Sequence, residues 1–166
     1  MRKSDLESGI PAPGEGKRGA EGHLGYLLRQ ANVAFRTRLE RALADTGVTQ
    51  PQFAVLTMIA AYPGCSSADL ARLSLLTPQT VTVIVTNLKR DGLLEATPHP
   101  VHGRIQQLSL TAHGKTVLGR CKTRVQTLEQ ELAASLSPDE DAIIRRWLVQ
   151  VAVKATAASG AEPSEE

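Results

Sequence analysis

A β-branched run at residues 81–86, Val-Thr-Val-Ile-Val-Thr, constrains the fold of this chain more than any other stretch. Residue preference alone favours a strand here, because two heavy atoms on each Cβ restrict χ1. The flanks favour a helix, since Thr77-Pro78 pairs a capping residue with a proline at the first helical position and Asp91-Gly92 ends the segment. We predict a helix over about 78–90. Its apolar side chains are spaced as one helical face, formed by Val81, Ile84, Val85 and Leu88.

A short helix precedes this segment and a hairpin follows it. Residues 67–74, SADLARLS, come after a serine that can cap a helix, and Leu75-Leu76 makes a brief turn. After Gly92 the pattern predicts two strands, at 93–97 and 104–110, joined by the six residues 98–103. Two short helices followed by a hairpin are the order of elements in a winged helix-turn-helix.

Longer amphipathic helices are predicted on both sides of this arrangement. Thr49 and Gln52 have the spacing of a capping box, and so do Ser137 and Glu140. In the helix after the hairpin, apolar residues step by three and four positions, the spacing of a packing seam between helices. The predicted fold class is therefore mainly α with a small β-hairpin wing. The longer helices cover about 24–43, 50–62, 112–135 and 138–157.

The two ends of the chain differ in composition from its middle. Residues 1–21 are rich in Gly, Pro, Ser and mixed charge and predict a disordered tail, while residues 157–166 form an acidic tail. The whole chain carries a net charge of +2. Since the first 20 residues contribute +1 and the last ten −3, the middle holds +4. Such a surplus is compatible with a nucleic-acid partner but does not require one.

No run of 18 apolar residues and no signal segment is visible, so we expect a cytoplasmic protein without a membrane partner. The sequence also lacks a nucleophile elbow, a phosphate-binding glycine loop and a zinc protease motif. We therefore predict neither enzymatic activity nor a cofactor.

The side of the 78–90 helix opposite its apolar face can contact DNA. At ~100° per residue this outward side is polar and rich in threonine. Glutamine and threonine hydroxyls can bond bases or phosphates, and valine and threonine methyl groups can contact thymine methyls. A merely solvated face is the alternative, but the place between a short helix and a hairpin favours DNA. The predicted base-reading residues are Gln79, Thr82, Val83 and Thr86, with Thr80 and Arg90 at phosphates.

Arg104 lies at the edge of the predicted hairpin tip. A wing placed along the DNA backbone would bring this cation near the minor groove, whose negative potential attracts arginine. Solvation, or pairing with a nearby acid, is the other interpretation of an arginine at a loop edge.

Two motifs make the chain similar to the MarR family of bacterial transcription regulators. LTPQTVTVIVTNLKRDGLLE, residues 76–95, resembles the recognition helix of the family and its Leu-x-x-x-Gly-Leu exit. GRIQQLSLTAHGK, residues 103–115, resembles the end of the wing and the Leu-Thr-x-x-Gly start of the next helix. The order of elements agrees with the family over residues 22–156.

The resemblance implies a homodimeric repressor, released from a pseudo-palindromic DNA operator by a small phenolic or anionic ligand. It implies a DNA-binding lobe at about 49–111 and dimerisation helices at 23–46 and 112–156. The apolar faces of the terminal helices are extensive for one small protomer to cover. The residues that bind the ligand are not indicated by the sequence.

The wing departs from the family pattern at one position. The family commonly has Asp-x-Arg at the tip, whereas this chain has His102-Gly103-Arg104. The role of the arginine carries over to Arg104, but that of its orienting aspartate does not. Because a protonated His102 could contact phosphate, we expect DNA affinity to rise as pH falls through about 6.5.

Two other functions remain as alternatives, a redox-sensing regulator and a protein-binding module. Cys65 or Cys121 could make the protein a redox-sensing regulator, although Cys121 lies on the apolar seam, where cysteine acts as a small hydrophobe. His99 and His102 have a spacing that can suit a metal, but no Cys or carboxylate lies beside them, so no metal is predicted. A winged helix can also bind a protein instead of DNA, because fold alone does not fix function.

Overall fold

The computed structural model describes residues 10–98 and 106–159. Six helices, two strands and a single 3-10 turn at Gly16–Arg18 occur within these residues. Their order agrees with the prediction of four helices, a hairpin and two helices. The elements are α1 (Leu24–Leu43), α2 (Gln50–Ala61), α3 (Ser67–Ser74), α4 (Pro78–Arg90), β1 (Leu94–Pro98), β2 (Gln106–Leu110), α5 (Ala112–Ala133) and α6 (Pro138–Ser159).

Side-chain caps fix where the helices begin. In α2 the Thr49 hydroxyl accepts from the Gln52 backbone N–H while the Gln52 side chain accepts from the Thr49 N–H, which confirms the predicted capping box. Ser137 and Glu140 form the same reciprocal pair before α6. The serine before α3, Ser66, caps that helix together with Asp69, as the sequence predicts for the serine.

The chain divides into two units, Met1–Val125 and Gln126–Glu166, with the boundary inside α5. In the first unit, α2 contacts α1, α3, α4 and β2, and α4 also contacts β1. The strands pair antiparallel, with Leu94 opposite Leu110 and Ala96 opposite Leu108. A single core lies beneath the hairpin and the helices. Its fully buried side chains are Leu43, Val55, Leu56, Ile59, Leu70, Val81, Leu88, Leu108 and Cys121.

The second unit consists of the end of α5 and all of α6. Leu128 is buried, but the large apolar side chains of α6 are exposed. The sequence predicts one apolar face made of Ile143, Ile144, Trp147, Leu148 and Val151, and within the described residues only Val151 of this face is partly covered. The exposed residues are Ile143, Ile144, Trp147 and Leu148.

The N-terminal stretch departs from the prediction of a disordered tail over 1–21. From residue 10 onward, turns and the 3-10 helix hold the segment beside α1. Gln30 Nε2 donates to the Arg18 carbonyl at 3.0 Å, and Arg18 Nε donates back to Gln30 Oε1 at 3.3 Å. The glycines that suggested disorder permit close backbone contacts, since a Cβ on Gly19 would overlap the carbonyl of Gly14.

None of the helices within residues 10–98 and 106–159 combines the length and the hydropathy needed to cross a bilayer.

Candidate nucleic-acid interface

The local sequence of α4 makes it a helix in spite of its β-branched residues. The Thr77 hydroxyl accepts from the Thr80 backbone N–H at 3.2 Å, and Pro78 occupies the first helical position without losing a hydrogen bond. All four apolar residues of the predicted inner face are buried. Their burial in the core outweighs the small helix propensity of valine, isoleucine and threonine.

The opposite side of α4 is exposed, as the sequence predicts. Val83 has 60% of its surface exposed, so an apolar side chain stands among the polar ones. The structure therefore brings six predicted site residues onto one accessible helix. These residues are Gln79, Thr80, Thr82, Val83, Thr86 and Arg90.

Most threonine hydroxyls of α4 are bonded within the helix. Thr82 Oγ1 donates to the Pro78 carbonyl at 2.9 Å, and Thr86 Oγ1 donates to the Thr82 carbonyl at 2.8 Å. The hydroxyls of Thr77 and Thr80 lie 2.8 Å apart and share a hydrogen bond. Since each hydroxyl has one proton, Thr82 and Thr86 offer a partner an acceptor oxygen and a methyl group.

Positive charge gathers at the C-terminal end of α4, where it also faces the negative end of the helix dipole. Arg90 Nε donates to Asp91 Oδ1 at 3.0 Å, with both side chains exposed. Lys89 is exposed beside it and shares a helical face with Thr82 and Thr86. The sequence prediction included Arg90 and overlooked Lys89, although the same spacing rule places Lys89 on this surface.

Leu75 is a second residue that sequence reasoning missed. It ends α3 with φ +55°, in the left-handed region that disfavours side chains with a Cβ, and 92% of it is exposed. It lies in the turn two residues before the Thr77 cap. Neither burial nor a hydrophobic contact therefore accounts for a leucine here.

The Leu-Thr-x-x-Gly motif joins the hairpin to α5 and fixes it beside the end of α4. Thr111 Oγ1 donates to the Gly92 carbonyl at 2.7 Å and accepts from the Gly114 N–H at 2.9 Å. The Leu93 carbonyl accepts from the Thr111 N–H at 3.1 Å. A Cβ on Gly114 would overlap that carbonyl. The motif therefore positions the base of the hairpin relative to α4.

The predicted wing residues His102 and Arg104 lie outside the described residues, and so does the His99 of the possible metal pair. Within the described part of the chain, no group of three or more His, Cys, Asp or Glu side chains could hold a metal ion.

A cavity of about 440 Å³ lies between α2, the hairpin and α5, all within the first unit. Ile59, Leu110 and Leu118 supply apolar wall, and the lysines Lys115 and Lys122 also line it. The carboxylate of Glu95 also lines the cavity. This combination suits a small molecule with an apolar body and a negative group.

Neither cysteine is placed as an activated thiol. Burial, and then the charge of Asp69, raise the pKa of Cys65 above its ordinary value, which disfavours the reactive thiolate. Cys121 is fully buried in the core. The arrangement of these thiols gives the redox alternative no support.

Comparison with known proteins agrees with this geometry. The pattern of the MarR family matches residues 46–105. The chain is 31% identical over 125 residues to the HTH-type transcriptional repressor Rv2887 of Mycobacterium tuberculosis, which covers 75% of this chain and 90% of that repressor.

Two solved structures share the fold. The transcriptional repressor CouR, bound to a 23-mer DNA duplex, has a TM-score of 0.74 and 26% identity, covering 83% of this chain and 98% of its own. The PcaV transcriptional regulator from Streptomyces coelicolor, in complex with its natural ligand, has a TM-score of 0.66 and 31% identity, covering 81% of this chain and 94% of its own.

These matches include the helix-turn-helix and most of the helices around it. They confirm the predicted winged-helix fold class, and they confirm the prediction that the protein is not an enzyme, because the family consists of transcription factors. The chain belongs to the MarR family and is a DNA-binding transcription regulator.

Proposed function

We propose that this chain is a homodimeric repressor that binds a pseudo-palindromic operator and is released by a small anionic ligand. The observation that carries the proposal is α4, whose one face is buried in the core while its other face is exposed. A helix must be divided in this way to lie in a major groove, about 12 Å wide, and remain attached to its domain. Two copies would contact half-sites about one helical turn, ~10 bp, apart.

The contacts divide into base and phosphate contacts. We assign base readout to Gln79, Thr82, Val83 and Thr86, because they occupy the exposed face of α4. Thr80 and Arg90 lie near its two ends and are assigned to phosphates. The wing contact is assigned to Arg104 in the minor groove, with His102 beside it at the phosphate backbone.

Exposed apolar side chains on the terminal helices support the dimer. In α1, Leu24, Leu28 and Val33 are exposed, and α6 exposes Ile144 and Trp147. Large apolar surfaces of this kind mark interfaces in stable oligomers. A partner copy of the same chain would remove them from water.

The cavity between α2, the hairpin and α5 is our candidate ligand site. Lys115 and Lys122 would pair with the negative group of the ligand, while Ile59 and Leu118 would contact its apolar part. Because Leu110 belongs to β2, a ligand here would touch the strand that leads from the wing to α5. Binding would then act on DNA affinity by favouring one arrangement of the hairpin.

Selection of bound sequences from a random DNA pool tests the DNA assignment, and the selected duplex then serves as operator. We expect a two-fold symmetric sequence that the full chain binds and that salicylate, as an anionic aromatic probe, releases. Lys115→Ala and Lys122→Ala should lower sensitivity to the probe without changing affinity for the operator. Recovery of no sequence preference would contradict the proposal.

Arg104→Ala tests the wing. If Arg104 neutralises a phosphate, the slope of log affinity against log salt should flatten by about one unit. Arg41→Ala, which removes the same charge from the last turn of α1, is the control and should leave the slope unchanged. An unchanged slope in Arg104→Ala would remove this residue from the contact set.

Salt also separates DNA binding from the protein-interaction alternative, since affinity based on several phosphate contacts falls steeply as salt rises. We further propose the cytoplasm as the place of action, because a bacterial operator lies there.

A further inference from the structure

We infer that the middle of α4 recognises the 5-methyl groups of thymine in the operator, through Thr82, Val83 and Thr86. The inference rests on the proposed placement of α4 in the major groove and names the base feature that this part of the helix detects. It makes these three residues specificity determinants that act by apolar contact.

The hydroxyl groups of Thr82 and Thr86 are already bonded within the helix. Both hydroxyl protons are directed to backbone carbonyls one turn earlier, at 2.9 Å for Thr82 and 2.8 Å for Thr86. Donating to a base acceptor would require breaking these bonds. The guanine O6 and N7 atoms and the thymine O4 atom are acceptors, so they gain no ready donor from either threonine.

Val83 adds an exposed apolar side chain to the same surface. Its side chain has no polar atom and is 60% exposed, although it lies between the two threonines in sequence. Residues 82, 83 and 86 are neighbours at helical spacing, so two threonine methyls and one isopropyl group share one surface. This surface therefore presents methyl groups beside two threonine oxygens whose protons are bonded to the backbone.

The major groove of DNA offers one apolar group that such a surface can contact. Among the four bases, only thymine presents an apolar group, its 5-methyl, in the major groove. Burying one methyl group between apolar surfaces strengthens binding about fourfold. The methyl groups therefore favour sites with thymine at the facing positions, while the threonine oxygens can accept only from the amino groups of adenine or cytosine.

Replacement of thymine by deoxyuridine tests this directly, because it removes the methyl group and retains base pairing. Each thymine of the selected operator is replaced singly, and the dissociation constant of the full chain is measured by fluorescence anisotropy. We expect about fourfold weaker binding at one or more thymines in each half-site. Operators whose deoxyuridine forms all bind equally well would overturn the inference.

Matched variants assign the effect to α4. Thr82→Val keeps a methyl and removes the hydroxyl, so both affinity and sensitivity to deoxyuridine should persist. Thr82→Ser keeps the hydroxyl and removes the methyl, so both should fall, as they should for Val83→Ala at its own thymine. The thermal midpoint of each variant checks that it folds. The reverse result, with Thr82→Ser normal and Thr82→Val weak, would show hydroxyl readout and overturn the inference.

Gln79→Ala separates this inference from the proposed function. If Gln79→Ala weakens operator binding while every deoxyuridine form binds normally, α4 reads DNA but not by methyl contact. If neither Gln79→Ala nor any change at Thr82, Val83 or Thr86 alters binding, the placement of α4 itself is wrong.

Discussion

Two helices with similar apolar spacing, α4 and α6, differ in how far their apolar faces are exposed in the single chain. In α4 the inner face is covered, with Val81 at 0% and Leu88 at 1% exposure. In α6 the corresponding stripe stays open, with Trp147 at 36% and Ile143 at 54%. The difference teaches that the described residues of one protomer cover the inner face of α4, the helix we propose to bind DNA, but leave the apolar face of α6 exposed.

Truncation of a buried side chain of α4 should lower the stability of the protein more than truncation of an exposed one, and this is the largest effect that we expect. Leu88→Ala would leave a cavity in the core and lower the free energy of unfolding by about 3 kcal/mol. Val83→Ala truncates an exposed residue of the same helix and should cost less than about 0.5 kcal/mol. Urea denaturation at one fixed protein concentration measures both. Equal losses of unfolding free energy in the two variants would contradict the assignment of the inner and outer faces of α4.

A charge introduced on the apolar face of α6 should weaken the association of two copies of the chain. Ile144→Glu would place a carboxylate in the proposed dimer interface and weaken association by about 2 kcal/mol, or roughly 30-fold. Val149→Glu introduces the same charge on the opposite side of α6 and should leave the dimer intact. Sedimentation equilibrium distinguishes them. Dimers of equal strength in both variants would exclude this stripe as the interface.

A smaller effect is expected in the turn before α4. Leu75 has φ +55°, so Leu75→Gly should relieve backbone strain and raise the free energy of unfolding by about 1 kcal/mol. Leu75→Ala removes the exposed side chain but retains the Cβ, and should show no such gain. The comparison by thermal or urea unfolding isolates the backbone contribution. Equal stability of the two variants would contradict the strain.

The smallest effect concerns the cap of α3. Hydrogen bonds from Ser66 and Arg72 lower the pKa of Asp69 from 3.8 to about 2. Between these values the unfolded chain binds more protons, so the stability from this carboxylate is present above pH 4 and lost as pH falls towards 2. Asp69→Asn should be less stable than the wild type at neutral pH, with the difference shrinking through this interval. A pH-independent difference would contradict the shift.

Much of the fold follows from local sequence signals. Threonine or serine caps with a glutamine or glutamate three residues on set the starts of α2 and α6, and Thr77-Pro78 does the same for α4. These signals can be recognised in the sequence because the side chains that satisfy the free N–H groups of the first helical turn lie within a few residues of them. Helical spacing likewise identified the buried face of α4.

Other features depend on contacts that no local pattern encodes. The turns around Gly16–Arg18 are joined to α1 by two hydrogen bonds between Arg18 and Gln30, twelve residues apart. The left-handed Leu75 gives no signal, because glycine or asparagine would be expected there. Helical spacing placed the hydroxyls of Thr82 and Thr86 on the outer face, but it did not show that their protons bond the backbone.

The central claim is that the exposed face of α4 reads bases, and a change of specificity tests it most directly. Glutamine pairs with adenine through two hydrogen bonds, whereas lysine favours guanine. Selection from random DNA with Gln79→Lys should therefore change adenine to guanine at one position, symmetrically in both half-sites. An unchanged preferred sequence, with only the overall affinity altered, would contradict the account.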